Sequence, residues 1–174
     1  MARPDELDGA IGEAWAGDVP NGSHINVVIA RRGSATAAAA VVALAVPDEG
    51  HAPVVVCLGA GSAVRPVTVM KNKATIESER HGLFTWGAAQ LGIGQGVLDA
   101  VEQGILDAAD ADDVVLLVAV WVDPDTVDET ACRLANREAM RLALADALPQ
   151  DRRARIDELS ATRDTARNAF YAGE

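Results

Sequence analysis

The chain has 174 residues, enough for one domain with a sizeable core, and its core must be aliphatic, because 49% of residues are hydrophobic and only 3% aromatic. A net charge of −11 and a pI of about 4.6 argue against a surface for nucleic acid or anionic membrane, which needs a basic patch. Cys57 and Cys132 give neither a disulfide framework nor zinc-type spacing, no apolar run reaches the length of a membrane span, and the first residues lack a secretory h-region, so the expectation is a soluble, reducing, cytoplasmic protein.

Met1 to Asp8 is polar and reads as a loose start. Ala10 to Ala16 fits a short strand or a helical turn, and its pattern does not separate the two. Gly17 to Ser23 is a turn centred on Pro20-Asn21-Gly22. His24 to Arg31 predicts a strand with Ile25, Val27 and Ile29 toward the core and His24, Asn26 and Val28 on the other face. Ser34 is placed to cap an alanine-rich helix reaching Ala45. A loop over Pro47 to Pro53 leads to a buried strand, Val54 to Leu58. Gly59 to Ser62 and Pro66 then make a turn.

Val67 to Ile76 alternates and predicts a strand with Lys71, Lys73 and Thr75 on one face. Ser78 is the expected cap of a long helix from Glu79 to Gln103, ended by Gly104. Leu83, Trp86, Gln90, Ile93, Val97 and Val101 form its apolar stripe, with Gln90 the polar exception. An amide there needs a partner, whether backbone, water or ligand. Gly87, Gly92, Gly94 and Gly96 each cost about 1 kcal/mol of helix propensity, which close approach of another backbone, a subunit or a ligand explains. After an acidic turn at Asp107 to Asp113, Val114 to Val122 predicts a central strand buried on both faces. Asp123-Pro124-Asp125 breaks it, and a helix follows over Val127 to Leu148, stopped by Pro149. Asp151 to Tyr171 is charged and helical in pattern, with Ile156, Leu159, Ala166 and Phe170 along one stripe. Strand pairs separated by helices make an α+β protein.

Several motifs at consistent separations resemble those of formaldehyde-activating enzymes. They are N-K-A-T-I at Asn72 to Ile76, G-A-A-Q at Gly87 to Gln90, and H-I-N-V-V-I-A-R-R-G-S at His24 to Ser34. A fourth is the segment E-Q-G-I-L-D-A-A-D-A-D-D-V-V-L-L-V-A-V. The resemblance spans residues 9–148 as one domain and leaves 149–174 as a charged tail. It implies a two-layer α/β sandwich like the second domain of ribosomal protein S5. It also implies a ring-shaped homopentamer with sites between subunits. The implied activity is condensation of formaldehyde with a reduced pterin, tetrahydromethanopterin in the family, without a metal.

Carried onto this chain, the family pattern makes His24 the general acid. An imidazole suits that role because it titrates near neutral pH. Lys73 and Thr75 match the pterin-contacting pair, although an edge-strand lysine alone would explain Lys71. Val55 matches a hydrophobic contact, which core packing explains equally well, and Gln90 matches a contact of its own. Asn26 stands where the family has an acidic residue, so hydrogen bonding survives but the charge does not. Ala88 replaces the proline of G-P-A-Q, and His51-Ala52-Pro53 replaces a more polar loop. These departures keep two alternatives open, a pterin-binding paralogue without turnover and the same condensation on another amine. His51 and His81 have no such context and read as surface residues. No Walker loop, G-x-S-x-G or metal-spaced His/Cys cluster is present. G-I-G-Q-G at Gly92 to Gly96 lies inside a predicted helix and is no phosphate loop.

Overall fold

The computed structural model describes residues 4–45, 48–148 and 152–166. After a short helix α1 (Pro4–Leu7), the open stretch before the first turn is a strand, β1 (Ala10–Ala16). It pairs antiparallel with β2 (Ser23–Arg31). The chain continues through α2 (Ala35–Ala45), β3 (Val54–Val55), β4 (Val67–Asn72), α3 (Glu79–Leu83), a π-helical turn (Phe84–Ala89) and α4 (Gln90–Glu102). It then runs through β5 (Val114–Val122), α5 (Glu129–Ala147) and α6 (Arg152–Thr162). The five strands form one sheet in the order β1-β2-β5-β4-β3, with β4 and β5 the parallel pair joined by the long helical crossover. The α+β class is as the sequence predicts.

Strand alternation decides which layer each side chain joins. Ile25, Val27 and Ile29 of β2, with Leu116, Val118 and Val120 of β5, are buried under α4 and α5. This is the core face. The opposite face of β5 is only half-buried, so the prediction that β5 is covered on both sides is corrected. Its apolar content reflects a second face that is part cavity wall and part open ground. There α2 packs through Ala37 and Ala40 and leaves Val41 and Val42 exposed. Between α2 and the sheet lies a slot of about 190 Å³, lined by Asn26, Val28, Val69, Lys71, Leu117 and Ala119 among others.

The predicted long helix is three pieces, and its predicted stripe breaks. Leu83 is 64% exposed and Trp86 39% exposed, whereas His81, Thr85, Ala89, Ile93 and Val97 are buried at a constant spacing of four. In a plain α-helix that spacing drifts by about 40° per step. The wider π turn takes up part of the drift and keeps the set on one side. His81 is therefore not a surface residue: its Nε2 donates to the Val122 carbonyl at 3.0 Å, deep under the crossover.

The glycines of α4 also have an internal reason. A Cβ at Gly92 or Gly96 would collide with the backbone carbonyl of Arg133 or Arg137, so α5, not a subunit or ligand, occupies the space at these two positions. Arg137 locks the same seam with two hydrogen bonds to Asp99, at 2.5 and 2.6 Å. Gly94 faces the Leu58 side chain instead, and a Cβ at Gly87 would meet open space. In the tail, Ile156 and Leu159 are largely exposed, and the stripe residue Phe170 lies outside the described residues. No described helix is long and apolar enough to cross a membrane.

Candidate functional site

The open half of the second sheet face is built from two adjacent rows. Register places Trp15 beside His24 and His24 beside Trp121. Lys73 extends this row, because its backbone N–H donates to the Val120 carbonyl just past the end of β4. The next row is Glu13, Asn26, Ala119 and Lys71. The end of β2 that carries His24 is fixed from below. Ser23 Oγ donates to Asn136 Oδ1 at 2.8 Å, and Asn136 Nδ2 donates to the Cys132 carbonyl, all in the buried layer. Asn21 Oδ1 accepts from the backbone of Val127 and Asp128, which ties the β1–β2 turn to the start of α5.

His24 is the hub of the face. Lys73 Nζ lies 3.0 Å from His24 Nδ1. When the ammonium donates, the ring proton belongs on Nε2, which stands 3.0 Å from Glu13 Oε1. That second contact is off the N–H direction and leaves Nε2 without a formal hydrogen bond, so it acts as an electrostatic attraction. Burial pushes the Lys73 ammonium down to about 8, against a smaller opposite pull from the Glu13 carboxylate. The Trp15 and Trp121 rings meet at 5.4 Å, and Trp15 lies 6.3 Å from the His24 ring. The cluster is therefore an amine, an imidazole and a carboxylate in line beside an aromatic wall.

Lys71, two residues before Lys73 on the same face, is in a different state. Its Nζ is paired with Asp48 at 2.8 Å, and this hydrogen bond holds the Asp48 carboxyl below its usual range. Asn26 stands directly opposite Glu13 across the β1–β2 ladder. The carboxylate near His24 thus comes from the neighbouring strand rather than from position 26. Sequence reasoning missed Glu13 because Ala10 to Ala16 was not assigned to a strand; once β1 is a strand, parity alone puts Glu13 on this face.

The remaining candidate residues lie apart from the hub. Thr75 is exposed beyond β4, with its Oγ1 3.2 Å from His51 Nε2. His51 Nδ1 donates to the Asn72 carbonyl at 2.8 Å, so Nε2 accepts from the Thr75 hydroxyl. His51 is thus half-buried and fully engaged rather than a plain surface residue. Val55 is 50% exposed on the short edge strand, opposite Val69 and on the same sheet face as His24. Gln90 opens α4 in the helical layer: its Oε1 accepts from the Cys57 N–H at 3.0 Å and its Nε2 donates to the Trp86 carbonyl at 2.6 Å. The amide on the stripe therefore has backbone partners. Gln90→Leu should lower unfolding free energy by about 1–3 kcal/mol, because the half-buried Cys57 N–H loses its acceptor. Chemical denaturation of the two proteins checks this.

A second concavity, of about 560 Å³, lies outside α3 and the π turn, between Ile76, Ser78, Gly82, Leu83 and Trp86. It holds no imidazole or amine, whereas the sheet face carries both. Among the described residues no group of three or more His, Cys, Asp or Glu side chains is placed to hold a metal ion.

Comparison with known proteins bears on the family. The family model for formaldehyde-activating enzyme matches residues 11–171, running past Leu148 into the charged tail. The 5,6,7,8-tetrahydromethanopterin hydro-lyase of Methanosarcina barkeri is 34% identical over 164 residues, covering 94% of this chain and 91% of that protein. The bifunctional enzyme Fae/Hps of Methanosphaera stadtmanae is 29% identical over 88% of this chain, which spans only 37% of that protein's length. Its counterpart from Archaeoglobus fulgidus is 29% identical over 79% of this chain and 35% of its own length. With its model matched over nearly the whole length and a relative of this identity covered almost end to end, the chain belongs to the formaldehyde-activating enzyme family.

Proposed function

We propose that this protein condenses formaldehyde with a reduced pterin of the tetrahydromethanopterin type, giving the methylene derivative and water. The observation that carries the reading is the line Glu13–His24–Lys73 on an open sheet face. The reaction needs two reactants held in register and one proton delivered to a departing hydroxyl. A pterin nitrogen attacks the aldehyde carbon and forms a carbinolamine. His24 then protonates the hydroxyl, water leaves, and the second nitrogen closes the ring on the iminium. Neutral His24 is recharged from the Lys73 ammonium at 3.0 Å, and Glu13 stabilises the imidazolium. Lys73 and Asn26 border the reactants, with Val55 further along the same face and Thr75 beyond the end of β4. Gln90, which lies in the helical layer, reaches a pterin only as the contribution of a neighbouring subunit.

That last point supports a cyclic homo-oligomer, a pentamer by family pattern, on a sheet with the S5-like topology and in the cytoplasm. The glycines of α4 no longer support it, since α5 accounts for Gly92 and Gly96. The deciding experiment mixes purified protein with formaldehyde and a panel of reduced pterins and folates and follows formation of the methylene product. Acceleration with tetrahydromethanopterin supports the reading. Saturable pterin binding without acceleration would replace it with a carrier-binding role.

A further inference from the structure

Lysine is nearly absent from this chain. Of its 15 basic residues 13 are arginine, and the two lysines are Lys71 and Lys73. Both lie on the same sheet face, yet they are held differently. Lys71 is paired with the Asp48 carboxylate at 2.8 Å. Lys73 faces an imidazole nitrogen at 3.0 Å, a group that can take its proton and leave a free amine. Its backbone is fixed by the hydrogen bond to the Val120 carbonyl. The titratable groups facing it are His24 on β2 and Glu13 on β1.

We propose that Lys73 is a nucleophile that captures the aldehyde as a protein-bound iminium before the carbon passes to the acceptor amine. This rests on the formaldehyde reading above and replaces direct attack by the pterin as the first bond made. The steps balance without an oxidant or reductant. Lys73 passes a proton to His24 Nδ1, and the neutral Nζ adds to the carbonyl carbon. The C=O pair moves to oxygen, and one proton shifts from nitrogen to that oxygen, giving the carbinolamine. The imidazolium returns its proton to the hydroxyl, the C–O bond breaks, water leaves, and the nitrogen lone pair forms C=N. A secondary amine of the reduced pterin then adds to that carbon, a proton moves between the two nitrogens, and Lys73 departs as the neutral amine. Burial, which pushes the ammonium down to about 8, leaves a sizeable neutral fraction at physiological pH.

The scarcity of lysine makes the test clean. The protein is treated with formaldehyde and cyanoborohydride, which reduces an iminium to a methylamine, and peptides are mapped over time. Lys73 should be methylated roughly tenfold or more faster than Lys71, with a rate that levels off above pH ~8, where an ordinary lysine keeps rising. Isotopically labelled formaldehyde bound before a chase with tetrahydromethanopterin and unlabelled aldehyde should appear in the product. Lys73→Arg, which keeps the cation, should abolish both trapping and transfer, and Lys73→Met guards against an effect of the larger guanidinium. Equal labelling of the two lysines, or an active Lys73→Arg protein, overturns the proposal while leaving the condensation reading intact. Selective trapping at Lys73 without acceleration for any pterin sustains the capture step and sinks the pterin reading instead.

Discussion

His24→Ala should lower turnover roughly 10²–10⁴-fold, the range usual for loss of a general acid–base group, with pterin affinity little changed. The expectation follows from position. His24 is the one imidazole among the described residues that lies in contact with both an amine and a carboxylate, and it bridges them through its two nitrogens. Removing it severs the route by which the Lys73 proton reaches the departing hydroxyl. It also leaves the Trp15 and Trp121 rings in place, so the aromatic wall remains for binding. Steady-state kinetics with separate kcat and KM, beside a pterin titration by fluorescence, reads both halves of this statement. A fully active His24→Ala protein would move the acid elsewhere on the face.

The largest structural effect is expected at Gly12. Its neighbour Glu13 points to the open face, so Gly12 points to the core, where α5 crosses β1. A Cβ there would strike the Ala143 carbonyl and come within 2.6 Å of the Ala147 backbone nitrogen. These are helix backbone atoms, which have no rotamer to change. Gly12→Ala should therefore cost about 3 kcal/mol, the upper part of the range for overpacking, and lower Tm by roughly 6–12 °C. Thermal unfolding followed by circular dichroism gives the number. A drop below a degree or so would mean that α5 shifts freely on the sheet. Because β1 carries Glu13 on its other side, a displaced β1 should also weaken the His24 contact.

Much of this arrangement was legible in the residues. Parity placed His24 and Asn26 on the non-core face of β2, and the same rule put Lys71 and Lys73 on one face of β4. The caps were legible too: Ser34 and Ser78 accept from the backbone N–H three residues on, as their positions imply. What parity within one strand cannot give is which strands are neighbours. The meeting of His24 with Lys73, 49 residues apart, depends on β5 lying between β2 and β4. Glu13 was hidden by a seven-residue stretch too short and too mixed to declare its period. Val54 to Leu58 shortened to two ladder residues: Val56 still donates to the Thr68 carbonyl of β4, but its own carbonyl accepts from Val64 and Leu58 donates to Ser62, so the chain turns onto its own loop. The burial of His81 was invisible for a different reason: a constant spacing of four fits no ordinary helix, so the residues that share the buried side did not look like a stripe.

The π turn between α3 and α4 gives this helix slack in chain length. Such a turn holds one residue more than the helix around it needs, like a gear with an added tooth. Deleting a single residue from 84–89 would restore the common pitch, and five residues at about 100° each sweep nearly the angle that six sweep in the wider turn, so α3 and α4 would keep their facing. The His81 ring could then stay on the Val122 carbonyl while Gly92 and Gly96 stay against α5. A second deletion would find no such slack and would rotate the two ends against each other by about 100°. One of the two anchors would then be lost.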